Sequence, residues 1–130
     1  MKTRLPESPI EIVGDKVQLR QCLANIMDNA ILAVEDRPKK EIEIAIEKDG
    51  PEVRISISDT GPGIEPENLQ RIFEPFYTTR DVGQGSGLGL AISHGIASRH
   101  SGRIEVKSTV GEGSTFTVIL PIHGPSGAKH

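Results

Sequence analysis

The scarcity of cysteine and of aromatic residues in this sequence excludes several classes of protein. The 130 residues include one cysteine, no tryptophan, three phenylalanines and one tyrosine. The single Cys22 allows neither an internal disulfide nor a cysteine-rich zinc site, which suits a reducing compartment. Because so few aromatic rings are available, we expect no platform for stacking nucleic-acid bases.

Long hydrophobic runs and an excess of positive charge are also absent. No apolar run approaches the roughly 18 residues that a membrane helix needs, and the N-terminal sequence lacks the apolar core of a signal peptide. The net charge of −3 argues against a general nucleic-acid-binding surface. We therefore expect a cytoplasmic domain that neither inserts into a membrane nor binds nucleic acid.

The length of the chain predicts a single domain, because 130 residues suffice for one core but not for two. We assign residues 1–123 to this domain and expect it to be monomeric when isolated. Residues 124–130 carry no periodic pattern, and we predict that they form a disordered tail.

The first half of the chain shows clear strand and helix patterns. Residues 10–13 favour a short strand, and Asp15 is the predicted N-cap of a helix over 17–34, where apolar residues recur at helical spacing. Two stretches with alternating apolar residues, 42–46 and 53–57, flank an Asp-Gly turn signal and predict a hairpin.

The second half begins with a long irregular segment, residues 59–87, in which we predict one short helix over 67–72. Such a segment in a compact domain is usually functional or mobile. A second long helix is predicted over 88–100, with Gly102 as its stop. One stripe of this helix contains Leu88, Ala91, Ile92, Gly95, Ile96 and Arg99. Strands around 104–106 and 116–120 follow.

The order of these elements predicts an α/β fold. We expect a two-layer sandwich with a mixed, mostly antiparallel sheet of about five strands packed on about three helices, all on one face. The polar residues that alternate along the strands would face water on the other side; they include Glu43, Arg54, Ser56, Glu105 and Lys107.

Asn25 and Asn29 lie four residues apart on one face of the first predicted helix. Asparagine is a poor residue for a helix interior, because its amide competes for backbone hydrogen bonds. A solvated polar face is one explanation. The other is a ligand site, since an amide oxygen suits a hard cation such as Mg²⁺, and the apolar residues around Asn29 favour it.

A predicted strand runs directly into Asp59 and then into a turn that contains Gly61 and Gly63. The turn alone would explain this pattern through a local hydrogen bond of the Asp59 side chain. A carboxylate beside bare backbone is also suited to accept a hydrogen bond from an exocyclic amine such as that of adenine. By itself the motif leaves both interpretations open.

The stretch GQGSGLGLA, residues 83–91, places glycines at every second position immediately before a predicted helix. It lacks the lysine of the P-loop pattern and does not fit G-x-G-x-x-G. A phosphate bound at the helix start and a hinge for a flexible loop both remain open. A lid that folds over a triphosphate would need both.

Four motifs in a fixed order resemble the catalytic ATP-binding domain of sensor histidine kinases. NIMDNA (25–30), DTGPGI (59–64), FEPFY (73–77) and GSGLGLA (85–91) are similar to that family's N, G1, F and G2 boxes. The resemblance spans residues 10–121, and the segment from FEPFY onward is most similar to nitrogen-regulation and dicarboxylate sensors. It implies the Bergerat fold, a sandwich that binds Mg-ATP under a flexible lid.

The resemblance also implies roles for individual residues. Asn29 would be the magnesium ligand, with Asn25 beside it near the phosphates. Asp59 would hold the adenine amino group, with Gly61 and Gly63 making room for the base.

In the same comparison, four residues would present backbone N–H groups to the phosphates: Gly85, Gly87, Leu88 and Gly89. Phe73, Phe76 and Tyr77 would anchor or flank the lid, although phenylalanines at this spacing would serve equally well in a core.

The sequence departs from the commoner kinase pattern at positions where relatives carry basic or aromatic residues. Leu32 and Ala33 occupy the places of a lysine and an aromatic residue, and Thr78 occupies the place of an arginine. The charge of the triphosphate must then be balanced elsewhere. We predict that Arg80 contributes, against the alternative of a solvated loop arginine.

Asn25 also separates two classes of related protein. In gyrase, the mismatch-repair ATPases and the heat-shock chaperone, a glutamate at this place is the general base that activates water. An amide cannot accept a proton at neutral pH. Phosphoryl transfer to a histidine is therefore favoured over ATP hydrolysis, because transfer depends on positioning and electrostatics.

None of the four histidines is followed by the acidic residue that is typical of the family's phospho-acceptor site. The resemblance thus implies two partners, a dimerisation domain that carries the acceptor histidine and the receiver domain of a response regulator. We interpret His94 and His100 as structural. A gyrase-type ATPase and a nucleotide-binding module without catalysis remain as alternatives.

Overall fold

The computed structural model describes residues 2–4, 14–74 and 88–122. Several sequence predictions fall outside these residues: the strand at 10–13, the tail at 124–130, and the site residues Tyr77, Arg80, Gly85 and Gly87. The described part of the chain contains five strands and three helices. In chain order they are β1 (Lys2–Arg4), α1 (Lys16–Val34), β2 (Ile42–Asp49), β3 (Glu52–Asp59), α2 (Pro66–Leu69), α3 (Gly89–Arg99), β4 (Arg103–Thr109) and β5 (Gly113–Pro121).

The strands form one sheet in the order β1-β2-β3-β5-β4. β1 pairs with β2 in parallel, and the other pairs are antiparallel. The predicted hairpin is confirmed, with Ile46 opposite Ile55 and Asp49 opposite Glu52 around the turn. The predicted sandwich with a mixed, mostly antiparallel sheet is therefore confirmed. β1 itself was not predicted, because its three residues carry no alternation that a periodicity argument can detect.

Helix α1 begins where the sequence predicts it to begin. The Oδ1 atom of Asp15 accepts a hydrogen bond from the Gln18 backbone N–H at 3.0 Å, which satisfies one of the donors at the helix start. The buried face of α1 has the expected four-residue spacing and packs on the sheet: Cys22, Ile26, Ala30 and Val34. The short helix α2 is earlier and shorter than predicted, and a turn follows it.

The predicted stripe of helix α3 is only partly correct. Ile96 is buried as predicted, but Ile92 is 45% exposed and Arg99 is exposed. The other buried residues of the helix, Ser93 and Ala97, were not on the predicted stripe. Ser93 can be buried because its hydroxyl donates to the Cys22 carbonyl oxygen at 2.8 Å, so the polar group has a partner where α1 and α3 cross.

Helix α3 also ends differently from the prediction that Gly102 stops it. The left-handed residue after the helix is Ser101, at φ 60°, and the Gly102 N–H donates to the Ala97 carbonyl at 2.8 Å. This is a Schellman arrangement with serine in the position that glycine usually takes. Gly102 is needed for another reason, since a Cβ there would overlap the Ile119 carbonyl oxygen.

His100 connects the end of α3 to the start of α1. Its Nε2 accepts a hydrogen bond from the Asp15 backbone N–H at 3.0 Å, so the ring proton lies on Nδ1, which is 2.8 Å from the Ile96 carbonyl oxygen. The structural role predicted for His100 agrees with these contacts. Gly14 allows the approach, because a Cβ there would lie 2.6 Å from the imidazole Cδ2.

The face of the sheet that points away from the helices is polar, as predicted. Hydroxyls pair across β3 and β5, with Ser56 and Thr117 oxygens 3.1 Å apart. Arg54 lies near both Asp49 and Glu105, at 3.1 and 3.6 Å. These exposed ion pairs contribute little to stability individually, so the apolar contacts on the helix side hold the layers together.

Candidate functional site

Asp59 ends β3 on the side of the sheet that faces the helices. Its side chain is only 7% exposed, and its Oδ1 atom accepts a hydrogen bond from the Gly61 N–H at 2.9 Å. This is the local hydrogen bond that the turn pattern predicts. It fixes the direction of one carboxylate oxygen at the end of the strand.

The two glycines of the turn lie against protein atoms. A Cβ on Gly61 would lie 2.8 Å from the Ala33 Cβ on α1, and a Cβ on Gly63, at φ +79°, would overlap the Thr109 carbonyl oxygen. The turn that carries Asp59 is thus pressed between α1 and the connection from β4 to β5. Packing alone requires glycine at both positions, in addition to any role in making room for a base.

Sequence reasoning missed Ser114, which lies opposite Asp59 in the sheet. Residues paired in this way point to the same face, and both side chains are buried. The Ser114 Oγ is 2.8 Å from the Ser108 Oγ. The Ser108 Oγ accepts a hydrogen bond from the Ile64 N–H at 2.7 Å. The detectable signal was a serine that begins the otherwise apolar alternation Phe116, Val118, Leu120.

A cleft of about 240 Å³ opens beside Asp59. It lies at the end of the sheet where β3, β4 and β5 meet the turn at residues 110–112. Its lining is almost wholly polar: Asp59, Lys107, Ser108, Thr109, Glu112, Gly113, Ser114 and Thr115. Together with the buried carboxylate, this lining can recognise polar edges of a ligand through hydrogen bonds.

A second polar group lies where α1 passes the start of α3. A Cβ built on Gly89 would lie 3.7 Å from the Asn25 Cβ, so the first residue of α3 lies beside the asparagine. Helix starts present backbone N–H groups and a partial positive charge. The structure therefore brings together the carboxamide of Asn25 and the start of a helix.

The side chain of Asn25 has an unusual environment. Its Oδ1 accepts a hydrogen bond from the Gln21 side chain at 2.9 Å, but its buried Nδ2 has no hydrogen-bond partner among the described residues. An unsatisfied buried amide costs about 1–3 kcal/mol. Asn29, half-buried one turn further along α1, follows Asn25 towards the turn of Asp59.

Helix α1 links the two polar regions. Asn25 lies beside the start of α3, and Ala33 lies beside the turn of Asp59. The two residues are eight positions apart in the helix, which corresponds to about 12 Å along the axis. Asn29 is midway. An extended nucleotide can span this length, with its base at Asp59 and its phosphates at Asn25 and Gly89.

Phe73 and His94 lie beside this region. The two rings pack with centroids 5.1 Å apart, and Phe73 also meets Phe116 edge-on at 6.5 Å. Phe73 is packed against the hydrophobic core. This position agrees with the interpretation of Phe73 as a core residue. The contact agrees with the structural role predicted for His94.

Cys22, on the buried face of α1, is a titratable group whose pKa the fold changes. Burial raises the pKa of the Cys22 thiol above its ordinary value of 9.0, and a hydrogen bond with Ser93 partly opposes this. A raised thiol pKa makes Cys22 unreactive, so it belongs to the core. Within the described residues, no group of three His, Cys, Asp or Glu side chains is arranged to hold a metal ion, and no helix is long and apolar enough to cross a bilayer.

Comparison with known proteins identifies the domain type. The family described as histidine kinase-, DNA gyrase B-, and HSP90-like ATPases matches residues 14–124. The chain belongs to this family. The matched residues cover most of the chain and include helix α1, Asp59 and the start of α3.

Sensor histidine kinases are among the known proteins similar to this chain. The chain is 42% identical over 113 residues to the sensor histidine kinase ZraS of Escherichia coli (strain K12). The aligned segment covers 87% of this chain and 23% of ZraS. The chain is 44% identical over 116 residues to the histidine kinase AtoS of the same organism, covering 89% of this chain and 18% of AtoS. The chain thus spans about a fifth of the length of these relatives.

Solved structures of histidine kinases share the fold. The catalytic domain of ThkA superposes with a TM-score of 0.79 at 30% identity, covering 92% of this chain and 78% of that one. Full-length ShkA in complex with AMPPNP gives a TM-score of 0.78 at 33% identity, covering 92% of this chain and 25% of that one. The recognition of a histidine-kinase ATP-binding domain from sequence motifs is confirmed.

Proposed function

We propose that this domain binds Mg-ATP and donates the γ-phosphoryl group to a histidine on a separate helical domain. The observation that carries the proposal is the position of Asn25, which lies beside the start of α3, while the turn of Asp59 lies beside Ala33, further along the same helix. One helix thus separates a carboxylate suited to an amine from a helix start suited to phosphates.

The adenine base would bind at Asp59. The carboxylate is buried and points from the end of β3 to the helix side, where it would accept a hydrogen bond from the exocyclic amine. Ser114, beside it in the sheet, would place a hydroxyl near the same edge of the base. At the corresponding ring carbon guanine has a carbonyl oxygen, which cannot donate to a carboxylate, so a base that presents this edge to Asp59 would be adenine.

The phosphates would lie at the start of α3, where Leu88 and Gly89 supply backbone N–H groups. Tyr77, Arg80, Gly85 and Gly87 belong to the same proposal, on the family resemblance alone. Asn25, whose Nδ2 is buried without a partner among the described residues, would donate to a phosphate oxygen.

The donor set fits a magnesium ion that arrives with the nucleotide. Asn29 offers one hard amide oxygen, and Mg²⁺ binds few protein ligands while keeping water and phosphate oxygens. When bound, the ion would neutralise charge on the β- and γ-phosphates. The residues of this chain would orient the triphosphate so that its γ-phosphorus faces the acceptor.

In the transfer step, a nitrogen of the acceptor histidine attacks the γ-phosphorus, the bond to the bridging oxygen breaks, and ADP leaves. No proton needs to be removed by this domain, because the attacking nitrogen already carries a lone pair. Asn25 cannot act as a base at neutral pH. Its position near the phosphates therefore favours transfer to histidine over hydrolysis by water.

Two partners follow from this reaction: a dimerisation domain that carries the acceptor histidine, and a receiver domain that takes the phosphoryl group. Sensor histidine kinases such as ZraS are several times longer than this chain, which leaves room for such domains in relatives. The proposal places the domain in the cytoplasm, where ATP is available.

The direct test is to mix the chain with the helical domain of its parent kinase, magnesium and γ-labelled ATP. We expect a base-stable phosphohistidine on the helical domain and almost no labelling of the chain alone. Sustained release of phosphate without labelled histidine would favour the gyrase-type ATPase. Nucleotide binding without transfer or release would favour a non-catalytic module.

A further inference from the structure

Arg37, just after α1, connects two loops at the Asp59 end of the domain. Its Nη2 donates to the Gly111 carbonyl oxygen at 3.0 Å, and its Nε donates to the Thr60 carbonyl oxygen at the longer distance of 3.4 Å. The two acceptors belong to the β4–β5 turn and to the residue after Asp59. Nothing in the proposed chemistry uses Arg37 directly.

The β4–β5 turn packs against the backbone of Asp59. A Cβ on Gly113 would overlap the Asp59 carbonyl oxygen and lie 3.1 Å from the Thr60 Cα. The Gly111 N–H donates to the Pro62 carbonyl oxygen at 2.7 Å. A shift of this turn would therefore move the backbone that carries the Asp59 carboxylate.

Thr60 is also held by the segment that follows α1. Its Oγ1 donates to the Lys39 carbonyl oxygen at 2.6 Å, and its N–H donates to the Glu41 carbonyl oxygen at 3.1 Å. These contacts secure one side of the Asp59 turn without Arg37. The contribution specific to Arg37 is to tie the β4–β5 turn, through Gly111, to the end of α1.

Arginine is suited to this task because its planar guanidinium presents several donors in a fixed fork. Lysine has one ammonium group and would reach one carbonyl at a time. Glutamine is too short to replace both contacts. The chemistry of the contact therefore predicts a graded response to substitution.

We propose that Arg37 is a positioning residue for the nucleotide base: by holding the β4–β5 turn against the end of α1, it fixes the Asp59 carboxylate at the distance from Asn25 and Asn29 that a nucleotide spans. This inference rests on the proposed function. It adds a determinant outside the four sequence motifs.

The test is calorimetric titration of the 130-residue chain with ADP, using Arg37→Gln and Arg37→Lys. We expect Arg37→Gln to raise the Kd about fivefold to tenfold and Arg37→Lys to have an intermediate effect. Arg54→Gln is the matched control, because Arg54 pairs with acidic side chains on the open face of the sheet, and it should bind ADP like the wild type.

A double-mutant cycle separates positioning from general destabilisation. If Arg37 acts through Asp59, the effect of Arg37→Gln on ADP affinity should fall below about twofold in an Asp59→Asn background. In phosphoryl transfer to the helical domain, Arg37→Gln should raise KM for ATP and leave kcat within about twofold. Equal losses in both backgrounds, or wild-type affinity in both Arg37 variants, would overturn the inference.

Hydrogen exchange distinguishes a failure of the positioning role of Arg37 from a failure of the proposed function. Without ligand, Arg37→Gln should accelerate exchange of the Gly111 and Gly61 amides, which donate to Pro62 and to Asp59. Unchanged exchange rates would refute the claim that Arg37 holds the β4–β5 turn against the end of α1. A wild-type chain that binds no ADP would refute the proposed function and with it the role of Arg37 towards the base, whatever the exchange rates.

Discussion

The two ends of the candidate site are built differently. At the Asp59 end, backbone and side-chain groups bond one another: Gly61 to Asp59, Ile64 to Ser108, and Ser108 to Ser114. At the Asn25 end, the start of α3 has no side-chain cap, and the Asn25 Nδ2 lacks a partner among the described residues. Hydrogen bonds within the protein hold the first end in place, whereas the second end suits a ligand that accepts hydrogen bonds.

This difference suits the two parts of a nucleotide. A base has a fixed shape and is recognised by groups that are held in place before it binds. A triphosphate is flexible and charged, and its oxygens can satisfy donors that the fold leaves exposed to it. We therefore expect substitutions at the two ends to have effects of different size. At the Asn25 end we also expect stability and phosphoryl transfer to change in opposite directions.

The largest expected effect is on phosphoryl transfer, from Asn29→Ala. Losing the amide oxygen that would hold the magnesium-bound triphosphate should slow labelling of the helical domain about 10²-fold, while ADP binding without magnesium changes little. Asn68→Ala, in α2, is the control and should transfer at the wild-type rate. Wild-type transfer by Asn29→Ala would remove this residue from the site.

At the Asp59 end, Gly61→Ala should weaken ADP binding about tenfold. The added methyl would lie 2.8 Å from the Ala33 Cβ and 2.9 Å from the Asp59 Oδ1, so the turn must move away from α1. Gly50→Ala is the control, because a Cβ there meets nothing within 4 Å. It should cost about 1 kcal/mol of stability through its positive φ and leave ADP affinity unchanged. Equal affinity in both variants would show that the turn tolerates displacement.

At the Asn25 end, we expect stability and function to change in opposite directions. Asn25→Ala removes a buried unsatisfied amide and improves helix propensity, so the free energy of unfolding should rise by about 1 kcal/mol, while phosphoryl transfer slows. Denaturant unfolding measures the first effect. Gln21→Ala breaks the same side-chain hydrogen bond without removing the buried amide, and it should transfer normally. A destabilised Asn25→Ala would mean that the Nδ2 has a partner in the native protein.

The smallest effect concerns the core beneath both ends. Because burial raises the pKa of the Cys22 thiol, the folded state holds this proton more tightly than the unfolded state does. The resulting stabilisation is fully present below the ordinary pKa of 9.0 and is lost as the pH rises towards the folded-state pKa. The stability difference between wild type and Cys22→Ala should stay constant around neutral pH and shrink in alkaline solution. A constant difference across the alkaline range would contradict the assigned burial effect.

The sequence predicted those parts of the fold that depend on local periodicity. Helix α1, its Asp15 cap and the β2–β3 hairpin follow from spacing and turn residues, and the structure agrees. The stripe predicted for α3 was only partly correct: Ile96 is buried, but the burial of Ser93 was missed because a carbonyl of another helix accepts its hydrogen bond. Strand β1 was missed because three residues paired to a distant strand leave no local pattern.

The candidate site shows the same division between local and distant information. Asp59 and the asparagines were found because polar residues interrupt apolar patterns. Ser114 and Arg37 were not found, since the importance of each depends on contacts with distant segments, β3 for Ser114 and the β4–β5 turn for Arg37. Whether Tyr77, Arg80, Gly85 and Gly87 act on the nucleotide stays a prediction.

The most direct test of the central claim is calorimetric titration of the chain with ADP and magnesium, repeated with Asp59→Asn. We expect saturable binding by the wild type. In Asp59→Asn the affinity for ADP should fall roughly 10- to 150-fold, because a buried hydrogen bond to a charged group is removed. Asp49→Asn, at the exposed hairpin turn, should bind like the wild type. An Asp59→Asn variant with wild-type affinity would contradict the claim that this carboxylate holds the base.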